Sequence, residues 1–156
     1  FFGGISSGDA AGYLTAQVAG ALGGALLANA MFALPTFEAS VKTRASGPLW
    51  LAEAVATFGL VVVIFGVVRS GRASLVPFAV GAYIGGAYFF TSSTSFANPA
   101  VTIGRTISNT FAGIRPSSAP AFIAAQLAGG AIAGAAVYVL YPRIRDAEPE
   151  PERAAR

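Results

Sequence analysis

The sequence contains no cysteine and no histidine. Without cysteine there is no disulfide, no thiolate nucleophile and no thiolate metal site. Without histidine, the usual imidazole ligand and the base of a Ser-His-Asp arrangement are missing as well. Charge is also scarce: Lys and Arg number 10, Asp and Glu 7, so 11% of the 156 residues are charged. A soluble domain carries about 25%. The net charge of +3 sits mostly in loops and in the C-terminal tail, which argues against a nucleic-acid partner. No paired carboxylates, metal cluster or nucleophile-base set is left to do chemistry. The chain therefore reads as no enzyme, with no cofactor and no metal.

What is present is apolar. Hydrophobic residues make up 54% of the chain and the mean hydropathy is +0.64. Crossing about 30 Å of hydrocarbon takes roughly 20 helical residues, and four stretches have the length, at 13–34, 49–68, 74–90 and 120–141. The fold class expected is an all-α membrane protein in a lipid bilayer. Small residues recur at helix-packing spacing, as Gly20/Gly24, Gly81/Gly85 and Gly130/Gly134. A polar loop joins the first two spans, the turn Arg69-Ser70-Gly71-Arg72 joins the next two, and residues 143–156 read as a disordered tail. Arg69, Arg72, Arg143, Arg145, Arg153 and Arg156 fall on one side of the membrane, against Lys42, Arg44, Arg105 and Arg115 on the other. That excess expects a cytoplasmic C-terminus.

Asn98-Pro99-Ala100 is polar and lies just beyond the third apolar stretch. Asn caps a helix by accepting from its first free N–H groups, and Pro suits the first helical position. Val101 to Ser108 behind it allow two or three turns, and a re-entrant half-helix is expected within 98–112. Such a helix directs its positive dipole end into a cavity at membrane depth. The alternative is that Asn98 only caps, and capping and lining are compatible.

The segment Tyr13-Leu14-Thr15-Ala16-Gln17-Val18-Ala19-Gly20 matches Phe122-Ile123-Ala124-Ala125-Gln126-Leu127-Ala128-Gly129, an offset of 109 residues. Phe2, Gly4 and Ile5 align with Phe111, Gly113 and Ile114 at the same offset. A fixed offset reads as duplication. Counted back from Asn98 it falls at position −11, so residues 1–12 are expected to be the end of a first pore loop and half-helix. Three spans per repeat invert the second copy relative to the first.

These residues resemble the aquaporin, or major intrinsic protein, family. The resemblance rests on the NPA triplet, on Ala52-Glu53-x-x-x-Thr57-Phe58 opening a span, and on the repeated Ala-Gln-x-Ala-Gly, and it covers residues 2–142. It implies an inverted-repeat bundle, here four spans and one half-helix of an expected six and two, with the membrane channel domain over residues 13–142. It further implies a homotetramer with a pore in each subunit. Asn98, Pro99 and Ala100 would line that pore, Asn98 donating its amide to the passing solute, and the half-helix dipole would oppose cations. Glu53 would brace the pore loops. Gln17 and Gln126 would support the structure through interhelical hydrogen bonds.

The chain departs from the family pattern in places that bear on selectivity. The family's Arg after NPA is Val101 here, and the other filter positions fall at Gly86 and Ser95. The fourth filter position belongs to a span not in this sequence. Arg105, one turn after Val101, is expected on the solvated surface. The set implies a wide, weakly charged constriction. The run from Ser92 to Arg105 resembles a bacterial subgroup linked to arsenic detoxification, which implies the cell membrane and small neutral solutes: water, glycerol-like polyols, undissociated arsenite or methylated arsenicals. Two other readings remain from the residues. One is an ion-coupled transporter, for which the spans offer only Glu53; the other is a non-conducting, truncated product.

Overall fold

The computed structural model describes residues 5–140. The tail at 143–156, the last residue of the fourth expected span, and Phe2 and Gly4 of the repeat lie outside the described residues. Among those described are five α-helices: α1 (Ser7–Met31), α2 (Gly47–Arg69), α3 (Val76–Phe90), α4 (Pro99–Gly104) and α5 (Ala119–Leu140). Four helical stretches are long and apolar enough to cross a membrane, as an all-α membrane protein requires.

Local chemistry sets the boundaries. α1 starts at Ser7 instead of residue 13 because Ser6 and Asp9 cap one another: the Ser6 hydroxyl accepts from Asp9 N at 3.1 Å and donates to Asp9 Oδ2 at 2.8 Å. Residues 7–12, expected to be the end of a pore loop and half-helix, are the first turns of the long α1. α2 carries Pro48 and α3 Pro77 in their first turns, where a missing N–H leaves no bond unmade. α4 is shorter than the expected 98–112, running to Gly104 and then tightening into a 3₁₀ turn, Arg105–Ile107. The carbonyls that a longer helix would use internally are taken from outside. Thr106 O accepts Ser40 N at 2.9 Å and Ile107 O accepts Glu38 N at 3.2 Å.

α2 packs along α5 and against α3, and α1 packs against α4. The tight approaches are at Gly129, where a Cβ would meet the backbone of Ala54, and at Gly104, where it would stand 2.7 Å from Ala21 O. At Gly59 the Tyr83 ring fills the space, its hydroxyl donating to Ala56 O at 3.0 Å. The pairs Gly20/Gly24 and Gly81/Gly85 have nothing within 4 Å of a Cβ position. They lie on exposed faces of α1 and α3, so those two stripes make no close contact among the described residues. Large apolar side chains such as Phe32, Phe78, Phe89 and Tyr138 face outward. Helices apolar on every face suit a lipid surround.

Candidate functional site

The site is built around the entry to α4. Asn98 has extended backbone, φ −157°, and its side-chain Oδ1 accepts from Ala100 N at 2.8 Å and Val101 N at 3.4 Å. Its carbonyl accepts both Thr102 N and Thr102 Oγ1 at 3.0 Å. The oxygen face of Asn98 is thereby fully committed to the helix. Its amide NH₂ makes no hydrogen bond among the described residues, and the residue is half-buried, so two directed donors remain open. Pro99 occupies the first turn and Ala100 is buried.

The loop leading to Asn98 takes an uncommon path. Thr94, Ser95 and Ala97 all have left-handed backbone, with φ of 66°, 47° and 47°. Each L-residue there costs roughly 1–2 kcal/mol. Glu53, at 0% exposure, opposes that strain. Its Oε1 accepts Ser93 Oγ at 2.7 Å and Phe96 N at 2.8 Å, and its Oε2 accepts Ala97 N at 2.9 Å and Gln126 Nε2 at 2.8 Å. Gln126 Nε2 also donates to Thr102 Oγ1 at 2.8 Å, which couples α5, α2 and α4 in one network. Such a fully satisfied carboxylate is how a charge is tolerated within a span. Phe96, Ile114 and Phe122 pack beneath it, with Phe96 and Phe122 edge to face at 5.4 Å.

Gln17, which holds the same place in the repeat as Gln126, has no such surroundings. It is exposed on α1, and its side chain makes no hydrogen bond among the described residues. The reason is geometric. The partners of Gln126 are Glu53 of α2 and Thr102 of α4, whereas α1 meets the last residue of α4, where Gly104 faces Ala21.

The three positions read as a filter are placed differently from one another. Gly86 is exposed on α3. Ser95 is buried, its hydroxyl donating to Ala87 O at 2.9 Å and sharing a hydrogen bond with Thr91 Oγ1, so that hydroxyl is committed to the protein. Val101 is half-buried against the Phe96 cluster and lines a cavity of about 190 Å³ with Gly20, Ala21, Gly24, Gly104 and Arg105. Arg105 also lines a second cavity, of about 420 Å³, with Asn29, Ser108, Thr110 and Phe111. It is half-buried, and both cavities that it lines are open to the outside.

Residues the sequence did not single out complete the site. The polar loop 32–46 is laced onto the segment after α4, through Arg115 N to Lys42 O at 2.7 Å and Asn109 Nδ2 to Glu38 Oε1 at 2.9 Å, and Ser108 Oγ ties the same segment to Asn29 Oδ1 of α1 at 2.7 Å. Within it Arg44 is buried, with 2% of its surface exposed. Desolvation, with a smaller contribution from Arg105, pulls its pKa below the usual arginine value, against the raising influence of Glu53. No local signal marks Arg44: it sits two residues from Lys42 in what reads as an ordinary basic loop.

No family model matches the chain, and no solved structure matches it. Over 146 residues it is 49% identical to the aquaglyceroporin AqpS of Rhizobium meliloti strain 1021, an alignment covering 91% of this chain and 62% of that protein. The chain thus spans about three-fifths of the length of the curated relative it matches. That likeness, together with the helical membrane fold above, supports the aquaporin, or major intrinsic protein, family for this chain.

Proposed function

We propose that this protein forms a passive transmembrane channel for small neutral polar solutes, which pass Asn98 at the start of α4. The observation that carries the reading is the divided side chain of Asn98. Its oxygen is locked by Ala100 N and Val101 N while its NH₂ is free, so the helix presents donors, and no acceptor, to a passing molecule. The positive end of α4 adds a field that disfavours cations. Glu53 and Gln126 act as structural supports, holding the entry loop and the half-helix in register, and Gln17 waits for partners beyond the described residues.

Val101 and Gly86 leave the path wide and apolar at positions where it would otherwise be narrow. The solute class therefore extends beyond water to glycerol-like polyols and to undissociated arsenite or methylated arsenicals, whose hydroxyls suit the Asn98 amide. The likeness to an aquaglyceroporin supports the polyol part of this reading. The working form is a homotetramer in a bacterial cell membrane with its C-terminus in the cytoplasm. An ion-coupled transporter finds no support: Glu53, the carboxylate available in the interior of a span, is already saturated by four donors.

The test is stopped-flow flux in liposomes carrying the protein expressed from its full reading frame. Wild type should pass glycerol and arsenite well above empty liposomes. Asn98→Asp keeps the cap but removes both donors and adds a negative charge, so flux should fall at least tenfold while helix content is retained. No flux above background in wild type, or none lost in N98D, would sink the reading.

A further inference from the structure

Arg44 carries a whole positive charge in a place where burial opposes charge. Its Nε donates to Gly113 O at 2.7 Å, its Nη1 to Ser93 O at 2.7 Å and its Nη2 to Phe111 O at 3.1 Å. Its guanidinium carbon lies 4.9 Å from the centroid of the Phe96 ring. All three acceptors are backbone carbonyls. None is a carboxylate; Glu53, which bonds the same Ser93 and Phe96, offsets part of the charge from a distance and not by direct contact.

The position of those partners gives the charge a consequence. Ser93 and Phe96 lie on the segment that enters Asn98, on either side of Ser95. Phe111 and Gly113 lie on the segment that leaves α4, and Phe111 lines the 420 Å³ cavity with Arg105. Arg44 therefore stands behind both walls flanking the half-helix, fixed by three hydrogen bonds and a ring face. α4 has 6 residues, and a helix end supplies at most about half a charge. A guanidinium supplies about twice that, in surroundings where screening by water is weak.

We propose that Arg44 supplies the fixed positive charge that keeps cations out of the path, the charge that Val101 does not carry. The inference rests on the channel reading above. A neutral solute feels little of such a field, whereas a cation is repelled by it, so the two fluxes separate.

Glycerol flux and proton or sodium leak under an imposed membrane potential would be measured in proteoliposomes of wild type, Arg44→Gln, Arg44→Lys, Val101→Arg and the double variant R44Q/V101R. Relative to glycerol flux, cation leak should rise at least tenfold in R44Q, stay near wild type in R44K, and return toward wild type in R44Q/V101R. A purely structural role predicts leak in R44K as well and no rescue by V101R, and either result overturns the proposal. V101R alone decides the matter should R44Q not reach the membrane. With Arg44 in place, wild-type leak should already equal that of empty liposomes and V101R should not lower it; a wild-type leak that V101R suppresses tenfold refutes Arg44 as the barrier. Wild-type protein that passes no glycerol overturns the channel reading, and this inference with it.

Discussion

Replacing Glu53 by Gln changes one atom and should dismantle the approach to α4. Glu53 accepts four hydrogen bonds, from Ser93, Phe96, Ala97 and Gln126. Bonds to an ionised acceptor contribute about 1.5–3 kcal/mol each, or roughly 6–12 kcal/mol together. Against this stand three left-handed residues, Thr94, Ser95 and Ala97, at roughly 1–2 kcal/mol apiece, about 3–6 kcal/mol in all. The carboxylate therefore outweighs the strain by a factor of about two on these magnitudes. Gln keeps one oxygen, which can hold two of the donors at neutral strength, about 1 kcal/mol each. The other two donors would face an NH₂ group. The remaining ~2 kcal/mol falls below the strain, so residues 94–97 should leave the left-handed region and carry Asn98 with them. The expected outcome is a drop in solute flux of at least tenfold and a lower thermal midpoint in detergent. Glu53→Asp retains the charge but falls short by one methylene, and should lie between E53Q and wild type. An E53Q protein with wild-type flux and thermal midpoint would refute the claim that the carboxylate holds the loop.

Two further substitutions test the packing around that network. Gly129→Val places a side chain against the backbone of Ala54, where a Cβ already has no room; prising α5 from α2 should cost about 1–3 kcal/mol or more, read as a lower thermal midpoint and poorer recovery from the membrane. Thr102→Val removes the hydroxyl that donates to Asn98 O at 3.0 Å and accepts Gln126 Nε2 at 2.8 Å. Leaving that amide short of a partner should cost about 1–3 kcal/mol, and a T102V protein as stable as wild type would mean that the network reaches no further than Glu53.

Much of the fold was legible because membrane spans and helix starts are written in contiguous residues. Apolar length alone located α2 and α5 within a residue or two, and Asn98-Pro99 marked the start of α4 through a cap that needs only its own next residues. Where the reading went astray, the deciding contact came from elsewhere in the chain. The half-helix is shorter than its sequence predicts because nothing near Ile107 announces that its carbonyl belongs to Glu38 N. Glycine pairs at regular spacing suggest close packing at Gly20/Gly24, yet the close approaches fall at Gly59, Gly104, Gly113 and Gly129, which depend on what stands opposite.

The same distinction separates Glu53 from Arg44. A carboxylate inside an apolar span is conspicuous, since hydrocarbon offers it nothing and partners must exist. An arginine in a polar loop is inconspicuous, since water offers it everything. Yet the two grip one short segment by opposite polarity. Glu53 takes the N–H groups of Phe96 and Ala97 and the hydroxyl of Ser93, while Arg44 takes the carbonyl of the same Ser93. Without the cation that carbonyl would keep only the Thr94 hydroxyl, and without the anion the N–H groups would be unheld. The two charged groups therefore meet at Ser93, one on its carbonyl and the other on its hydroxyl. A loop held from one side by a charged carboxylate at membrane depth is therefore reason to look for a cation on its other side.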